Sequence, residues 1–130
     1  METKIKNFKL FSDERGDLIP INFSELPFIP KRIFTVNNVS VNSFRGNHSH
    51  FNTKQFLICI SGKIEIKLHD GKYEKTIFLN KSESVFVDNL IWDSQKFMTE
   101  DSTLLVICST EYNSEDYIFD FEEFIKLKKK

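Results

Sequence analysis

The stretch that decides the fold is KQFLICISGKIEIKLHDGKYEKTIFL, residues 54–79. Residues 54–60 form an almost continuous apolar run, which a Ser-Gly pair ends. Residues 63–68 then alternate strictly between charged and apolar, so the apolar side chains share one face of a predicted strand. Asp70-Gly71 is a strong signal for a type I′ hairpin turn, and residues 73–79 are the predicted return strand. Short strands separated by turn residues are typical of an all-β barrel or sandwich.

Further elements are predicted on both sides of this stretch. Residues 88–103 contain mixed side chains and are predicted to be mostly loop, whereas residues 115–128 have helical periodicity and a basic end that suits a helix C-terminus. The sequence therefore predicts one domain over residues 1–130, an all-β barrel of about ten strands with a short C-terminal helix. The other predicted strands are residues 5–11, 18–23, 32–36, 85–87 and 104–108.

Composition limits the classes of function. A chain of 130 residues has room for one domain, and fourteen phenylalanines without a single alanine favour strands over helices. Eighteen basic and nineteen acidic residues give a formal charge of −1, which argues against nucleic acid as the main partner. The apolar runs fall far short of the roughly 18 residues of a membrane helix, and a signal peptide is not expected. We therefore expect a cytoplasmic protein in which Cys59 and Cys108 are buried free thiols.

Two of the three histidines lie in the segment RGNHSH, residues 45–50. On an extended segment, His48 and His50 project to the same face because they are two residues apart. The third, His69, lies at the predicted hairpin turn and is expected to be exposed and without a function. The histidine pair has three interpretations: a metal site, an acid–base site, or a polar loop at the mouth of a barrel.

The histidine segment resembles the first motif of the cupin superfamily, which runs Gly, His-x-His, Glu and Gly. Here Gly46, His48 and His50 occupy the first places, but Gln55 stands where the acidic ligand is expected. The second cupin motif carries another histidine, and residues 85–93 contain none. A neutral amide is a weak ligand, so we expect a metal-free and cofactor-free site in which the histidines move protons. An oxygen ligand from Asp93 leaves the metal interpretation open.

A narrower resemblance extends over nearly the whole chain. Four segments have the order and spacing found in the sugar 3,4-ketoisomerase family. The chain thereby resembles the enzymes that convert dTDP-4-keto-6-deoxyglucose into the 3-keto sugar. This resemblance implies a jelly-roll homodimer that uses no metal and binds a dTDP-linked keto-deoxysugar. It also implies a place in deoxyamino-sugar synthesis for surface polysaccharides. The four segments are residues 13–18 (DERGDL), 27–34 (PFIPKRIF), 45–50 (RGNHSH) and 112–118 (YNSEDYI).

The same resemblance implies roles for individual residues. His48 matches the catalytic histidine and His50 its partner, while Arg45 matches an arginine that faces the substrate and Gln55 a glutamine of the same pocket. Arg15 and Arg32 also match family arginines, and we expect one or both to contact the diphosphate. The family commonly has a tyrosine pair where this chain has Phe34 and Thr35, and often a histidine after the tryptophan where this chain has Asp93.

The chemistry suits these residue types. Moving a ketone from C4 to C3 requires a base near neutral pKa at C3, and the unperturbed histidine value of about 6.5 fits. We take His48 as that base, with His50 as an oxyanion or orienting partner and Asp93 as a candidate orienting carboxylate. Arg45 would stabilise the developing enolate. Trp92 has two equally weighted interpretations, an aromatic face for the thymine and ordinary core packing.

Two other functions remain as alternatives. A 3,5-epimerase of the same sugars would need an acid on the opposite ring face, usually a tyrosine, and none of Tyr73, Tyr112 and Tyr117 lies in a predicted strand that matches this role. A non-catalytic sugar-nucleotide-binding cupin is the second alternative, because the tyrosine pair is absent from its usual positions.

Overall fold

The computed structural model describes Met1 and residues 3–130 as two facing β-sheets with one C-terminal helix. The elements are β1 (Ile5–Asn7), β2 (Phe11–Asp13), β3 (Gly16–Leu18), β4 (Arg32–Val36), β5 (Ser43–His50), β6 (Gln55–Ser61), β7 (Ile64–His69), β8 (Glu74–Leu79), β9 (Glu83–Val87), β10 (Trp92–Phe97), β11 (Thr103–Cys108), β12 (Tyr117–Ile118) and α1 (Phe121–Lys128).

Ten of the strands form two five-stranded antiparallel sheets. The first has the order β1-β9-β6-β11-β4 and the second the order β12-β5-β10-β7-β8. Strands β2 and β3 pair with each other as a separate hairpin. This arrangement confirms the predicted all-β jelly roll of about ten strands with a short terminal helix.

The core lies between the two sheets, as the alternation of residues 63–68 predicts. Ile64, Ile66 and Leu68 are fully buried in it, together with Leu57 of β6 and Leu104 of β11. Fully burying an aliphatic side chain of this size stabilises the fold by about 1.5–3 kcal/mol relative to exposure. A second cluster, around Phe8, Phe56, Ile58 and Ile107, lies between the first sheet and the N-terminal segment.

Several local predictions are wrong. The hairpin after β7 forms, but its turn spans four residues, 70–73, and Gly71 is the one residue of that described loop with a positive φ, 99°. A type I′ turn needs two such residues, so the turn type differs. The predicted strand 5–11 is interrupted from Phe8 onward, and Phe8 itself is buried. Of the predicted strand 18–23, only Leu18 is in a strand, as the last residue of β3.

Two larger corrections concern the functional end of the barrel. Residues 92–97 form a central strand, β10, although the polar sequence predicted a loop; Asp93, Ser94 and Gln95 are buried there. The predicted helix over residues 115–128 begins only at Phe121, because residues 117–118 pair with β5 instead and Asp120 caps α1 through the Glu122 amide at 2.9 Å. Among the described residues, no helix is long and apolar enough to span a membrane.

Candidate active site

A cavity of about 450 Å³ opens beside the histidine segment. Four of the predicted site residues line it, namely Arg32 on β4, Arg45 and His48 on β5, and Gln55 on β6. Other parts of its wall come from β10, β11 and the C-terminal segment, as side chains Gln95, Leu104, Val106, Tyr117 and Phe119. The structure thus brings two guanidinium groups and an imidazole from two separate strands to one cavity.

A β-bulge sets the direction of the side chains on β5. In the pairing with β10, Asp93 lies opposite His48 and Ser94 opposite Gly46, so Asn47 is an extra residue. Gly46 and Asn47 both have positive φ, 85° and 60°. Residues three apart on a regular strand face opposite sides, whereas the extra residue brings Arg45 and His48 to the same cavity.

His48 lies close to a buried carboxyl group. Its Nδ1 is 3.7 Å from Asp93 Oδ1, too long for a hydrogen bond, and neither atom has a hydrogen-bond partner among the described residues. Burial, and then the charge of His50, lower the pKa of His48 to about 4, so the imidazole is neutral at pH 7 and can accept a proton. Burial raises the pKa of Asp93 to about 7, although the hydrogen bond that Gln95 donates to it lowers the pKa.

His50 is held quite differently from His48. It is 5% exposed, its Nδ1 lies 3.1 Å from Asp116 Oδ2, and its ring is edge-on to His48 with centroids 5.0 Å apart. Burial lowers the pKa of His50, and Arg32 lowers it further, while the Asp116 carboxylate opposes both. The two histidines therefore have separate carboxylate neighbours, one at non-bonding distance and one in a hydrogen bond.

Arg32 is held between two aromatic rings at the cavity. Its guanidinium carbon lies 4.6 Å from the Phe34 ring centroid and 5.1 Å from that of Tyr112. A stacked guanidinium keeps its N–H edge available for oxygen anions. Gln55 Nε2 donates to Cys108 Sγ at 3.5 Å, which fixes the amide beside the same cavity.

Two predicted site residues lie elsewhere. Arg15 is exposed on the β2–β3 hairpin and forms an ion pair with Asp13 at 2.7 Å. Trp92 packs against α1, 5.2 Å from Phe121 and 5.7 Å from Phe124. The core-packing interpretation of Trp92 therefore fits its position, because the ring is used to anchor the helix rather than to line the cavity.

His69 is not exposed, contrary to the expectation. It is partly buried, its Nδ1 accepts from the Gly71 amide at 2.9 Å, and its ring meets Phe121 at 5.1 Å. Within the residues that the structure describes, no group of three or more His, Cys, Asp or Glu side chains is arranged to hold a metal ion.

Comparison with known proteins assigns the family. The family described as FdtA, WxcM-like, C-terminal, matches residues 1–129. The chain belongs to the FdtA family. TDP-4-oxo-6-deoxy-alpha-D-glucose-3,4-oxoisomerase of Aneurinibacillus thermoaerophilus is 30% identical over 128 residues, 97% of this chain and 92% of the relative.

Solved structures agree with this membership of the FdtA family. A 3,4-ketoisomerase from Helicobacter canadensis matches with a TM-score of 0.91 and 36% identity, over 100% of this chain and 99% of that one. A variant of the 3,4-ketoisomerase from Thermoanaerobacterium thermosaccharolyticum, in complex with TDP-4-keto-6-deoxyglucose, matches with a TM-score of 0.89 and 33% identity, over 98% and 94% of the two chains. The expectations of a sugar ketoisomerase family and of an isomerase are confirmed.

This FdtA family member has a tyrosine beside its histidines that the sequence analysis did not assign. Tyr117 lies on β12, which pairs with β5 so that Tyr117 is opposite His50. Its ring centroid is 4.4 Å from that of His50 and 5.2 Å from that of His48, and the residue lines the cavity. The segment of Tyr117 was predicted to be helical, whereas residues 117 and 118 form a strand that pairs with β5.

Asp116 is another site residue that the sequence analysis missed. It precedes Tyr117 in the segment 112–118, one of the four that carry the family resemblance. Its position in a predicted helix hid its contact with His50, which is 66 residues away in sequence. The family resemblance of residues 112–118 pointed to this segment, but it did not indicate that Asp116 contacts His50.

Proposed function

We propose that this chain is a sugar-nucleotide 3,4-ketoisomerase that converts dTDP-4-keto-6-deoxy-D-glucose into a dTDP-3-keto-6-deoxyhexose. The observation that carries the proposal is the position of His48 at a cavity that Arg32 and Arg45 also line. The substrate class is supported by the related ketoisomerase that was solved with TDP-4-keto-6-deoxyglucose. We further propose that the product serves deoxyamino-sugar synthesis for surface polysaccharides.

The reaction is a redistribution of two hydrogens with no net oxidation. The C3–H bond breaks and a C4–H bond forms, while the O3 hydroxyl proton is lost and O4 gains one, through an enediol. One group must therefore move a proton between carbons, and another must move a proton between oxygens. A base that is neutral at pH 7 and can be protonated transiently is suited to each step.

His48 is assigned the carbon-bound proton, because it is neutral and lines the cavity. Arg45 shares that cavity and provides a positive charge for the developing enolate oxygen. Arg32, stacked on Phe34 and Tyr112, is assigned to the diphosphate, where a guanidinium forms paired, charge-assisted bonds. Gln55 and the buried Asp93 complete the surroundings of the substrate and of His48.

The assay that tests this function follows dTDP-4-keto-6-deoxyglucose by NMR in deuterated buffer. We expect the carbonyl to move to C3 with deuterium incorporated from solvent, at a rate that a strong chelator leaves unchanged. Exchange at C3 and C5 without movement of the carbonyl would establish the epimerase alternative. Tight binding of dTDP without any exchange would establish the non-catalytic alternative, and a rate abolished by chelator and restored by one metal would contradict the metal-free mechanism.

We also propose that the chain forms a homodimer. The β2–β3 hairpin stands apart from both sheets and exposes Phe11 and Leu18, and the edge strand β4 exposes half of Ile33. Apolar side chains on bare strands promote association, and an isolated hairpin is only marginally stable in water. Sedimentation at micromolar concentration is expected to give twice the mass of the chain, and a stable monomer would contradict the proposal.

A cytoplasmic location fits the state of the two cysteines. Cys59 and Cys108 are both free and buried. Burial is the main reason that the pKa of each thiol is raised, which makes both groups unreactive. Unpaired thiols of this kind are usual in the reducing cytoplasm, where we place the protein.

A further inference from the structure

Two buried polar atoms face each other beside the cavity, and neither is bonded to anything else. Asp93 is 0% exposed, and its Oδ1 lies 3.7 Å from His48 Nδ1. Among the described residues, neither atom has a hydrogen-bond partner. A buried polar atom without a partner destabilises the fold, and an approach of roughly 0.5–1 Å would join these two in a hydrogen bond. The pair is therefore positioned to form one.

Gln95 determines which oxygen of Asp93 is free for His48. The Gln95 amide nitrogen, Nε2, donates to Asp93 Oδ2. Because Oδ2 already accepts this bond, the proton of a neutral Asp93 belongs on Oδ1, the oxygen that faces His48. The pair can then bond in two directions. In one, His48 Nδ1–H donates to an ionised carboxylate, and in the other a carboxyl O–H donates to a bare Nδ1.

We propose that Asp93 is a positioning residue whose protonation state selects the tautomer of His48, and with it the ability of His48 to act as a base. Ionised Asp93 accepts from Nδ1–H, which leaves Nε2 without a proton. Protonated Asp93 donates to Nδ1, which places the ring proton on Nε2 and prevents proton uptake there. Nδ1 is the buried nitrogen, so Nε2 is the one available to the cavity that His48 lines. This proposal rests on the proposed ketoisomerase function.

The proton balance closes within one turnover. The C3–H bond breaks and its proton moves to Nε2 of His48, so that the imidazolium forms an ion pair with the Asp93 carboxylate. The same proton leaves Nε2 when the C4–H bond forms, and Asp93 neither gains nor loses a proton. The carboxylate is needed in this step because burial and the charge of His50 both disfavour the imidazolium.

The two groups ionise in different pH ranges. Burial raises the pKa of Asp93 to about 7, whereas burial lowers the pKa of His48 to about 4. Between these values both groups are neutral, and above about pH 7 an ionised Asp93 lies beside a neutral His48. A carboxyl group loses its proton as the pH rises, so the form of His48 that can act as a base should appear as the pH rises through about 7.

The strands that pair with β10 place few polar groups at Asp93. On β10 itself the bonded neighbour is Gln95, on β7 the opposite residue is the apolar Leu68, and on β5 it is His48. His48 has further titratable or charged neighbours on its other sides, namely His50 and Arg45 on β5, Tyr117 on β12 and Arg32 on β4. Asp93 is thus the one carboxyl group of the described residues within 4 Å of the His48 ring nitrogens.

The first test reads the tautomer of His48 in the wild-type protein without substrate. Imidazole nitrogen NMR shifts, assigned by comparison with His48→Asn, should show the proton on Nε2 between about pH 4 and about pH 7, and on Nδ1 above about pH 7. The same tautomer in both ranges would overturn the proposal. This measurement is independent of activity and reads the wild-type protein itself.

The second test measures the pH dependence of kcat in Asp93→Asn, a side chain of the same size that cannot ionise. Wild-type kcat should rise with pH and level off above about pH 7, and this rise should be absent from the variant. Above that pH we expect kcat of the variant to be lower by about 10²-fold or more with KM within about threefold, because a carboxylate that orients a catalytic histidine is lost. The residue itself is fully buried, so substrate binding should change little.

Asp88→Asn is the matched control for the loss of an acid. Asp88 is exposed, and its carboxylate accepts from the adjacent Asn89 amide at 2.9 Å, so its change should leave both kcat and the pH-dependent rise intact. A rise that persists in a folded Asp93→Asn protein, or an unchanged kcat there, would contradict the role of Asp93. If the tautomer changes with pH as expected but the wild-type protein does not move the carbonyl, the proposed function fails, while the control of the His48 tautomer by Asp93 stands.

Discussion

Replacement of His48 by Asn is expected to lower kcat for isomerisation by about 10²–10⁴-fold, the range typical for loss of a general base. Asparagine keeps much of the side-chain volume and can hydrogen-bond, but it cannot take up the C3 proton at neutral pH. Binding of dTDP should survive, because the diphosphate is assigned to Arg32 on another strand. Turnover and solvent deuterium exchange at C3 are the two measurements, and exchange detects proton abstraction even when turnover is slow.

The same substitution at the other two histidines provides the comparison. His69→Asn changes a residue that packs against α1, so it should leave kcat near the wild-type level. His50→Asn should slow turnover but reduce C3 exchange less than His48→Asn does. Near-normal exchange in His48→Asn together with abolished exchange in His50→Asn would reverse the two roles. If neither change matters, the histidine pair is structural and the proposed mechanism is wrong.

Gly46→Ala is expected to reduce kcat by about 10²-fold through displacement of the β5 bulge. Gly46 has φ of 85°, where an L-residue costs about 1–2 kcal/mol. A Cβ there would lie 2.9 Å from the Gln95 amide nitrogen and 3.1 Å from the Asp93 carbonyl oxygen. The strand must shift to relieve these contacts, and misplacement of a catalytic group by about 1 Å can cost a factor of about 10² in rate.

Gly71→Ala is the control for general destabilisation. Gly71 also has a positive φ, 99°, and its added Cβ would lie 2.5 Å from Lys128 Cβ in α1, at a turn that does not line the cavity. Both variants should lose at least about 1–2 kcal/mol of unfolding free energy in urea, whereas only Gly46→Ala should lose kcat. Equal kcat in the two variants would mean that the bulge does not determine the orientation of the His48 side chain.

Much of the barrel follows directly from local sequence patterns. The alternation of residues 63–68 predicts both a strand and its buried face, and Ile64, Ile66 and Leu68 are indeed fully buried. Strand β10 was not predictable in this way, since Asp93 and Gln95 are polar and yet are buried opposite the core residues Leu68 and Ile66. The alternation of apolar and polar residues predicts which side chains are buried only where the buried side chains are apolar. At the candidate site several buried side chains are polar, so the pattern does not predict their burial.

The candidate site was predictable in its central segment and less so elsewhere. The spacing of His48 and His50 predicted their common face, and Arg32, Arg45 and Gln55, which the resemblance implied, line the cavity together with His48. Trp92 and Arg15 lie elsewhere, because the position of a side chain depends on what packs against its strand. The contact between His50 and Asp116 joins residues 66 positions apart, which no local pattern encodes.

The sequence by itself determined the fold class, the histidine pair and the family, since each depends on the identity and spacing of nearby residues. Only the tertiary structure decided which carboxylate belongs to which histidine. Pairing of β5 with β10 on one side and with β12 on the other places Asp93 beside His48 and Asp116 beside His50. Burial and hydrogen-bond partners together then determine the ionisation of these groups, because ionisation depends on the solvent and the partners that the fold brings to each group and not on its neighbours along the chain.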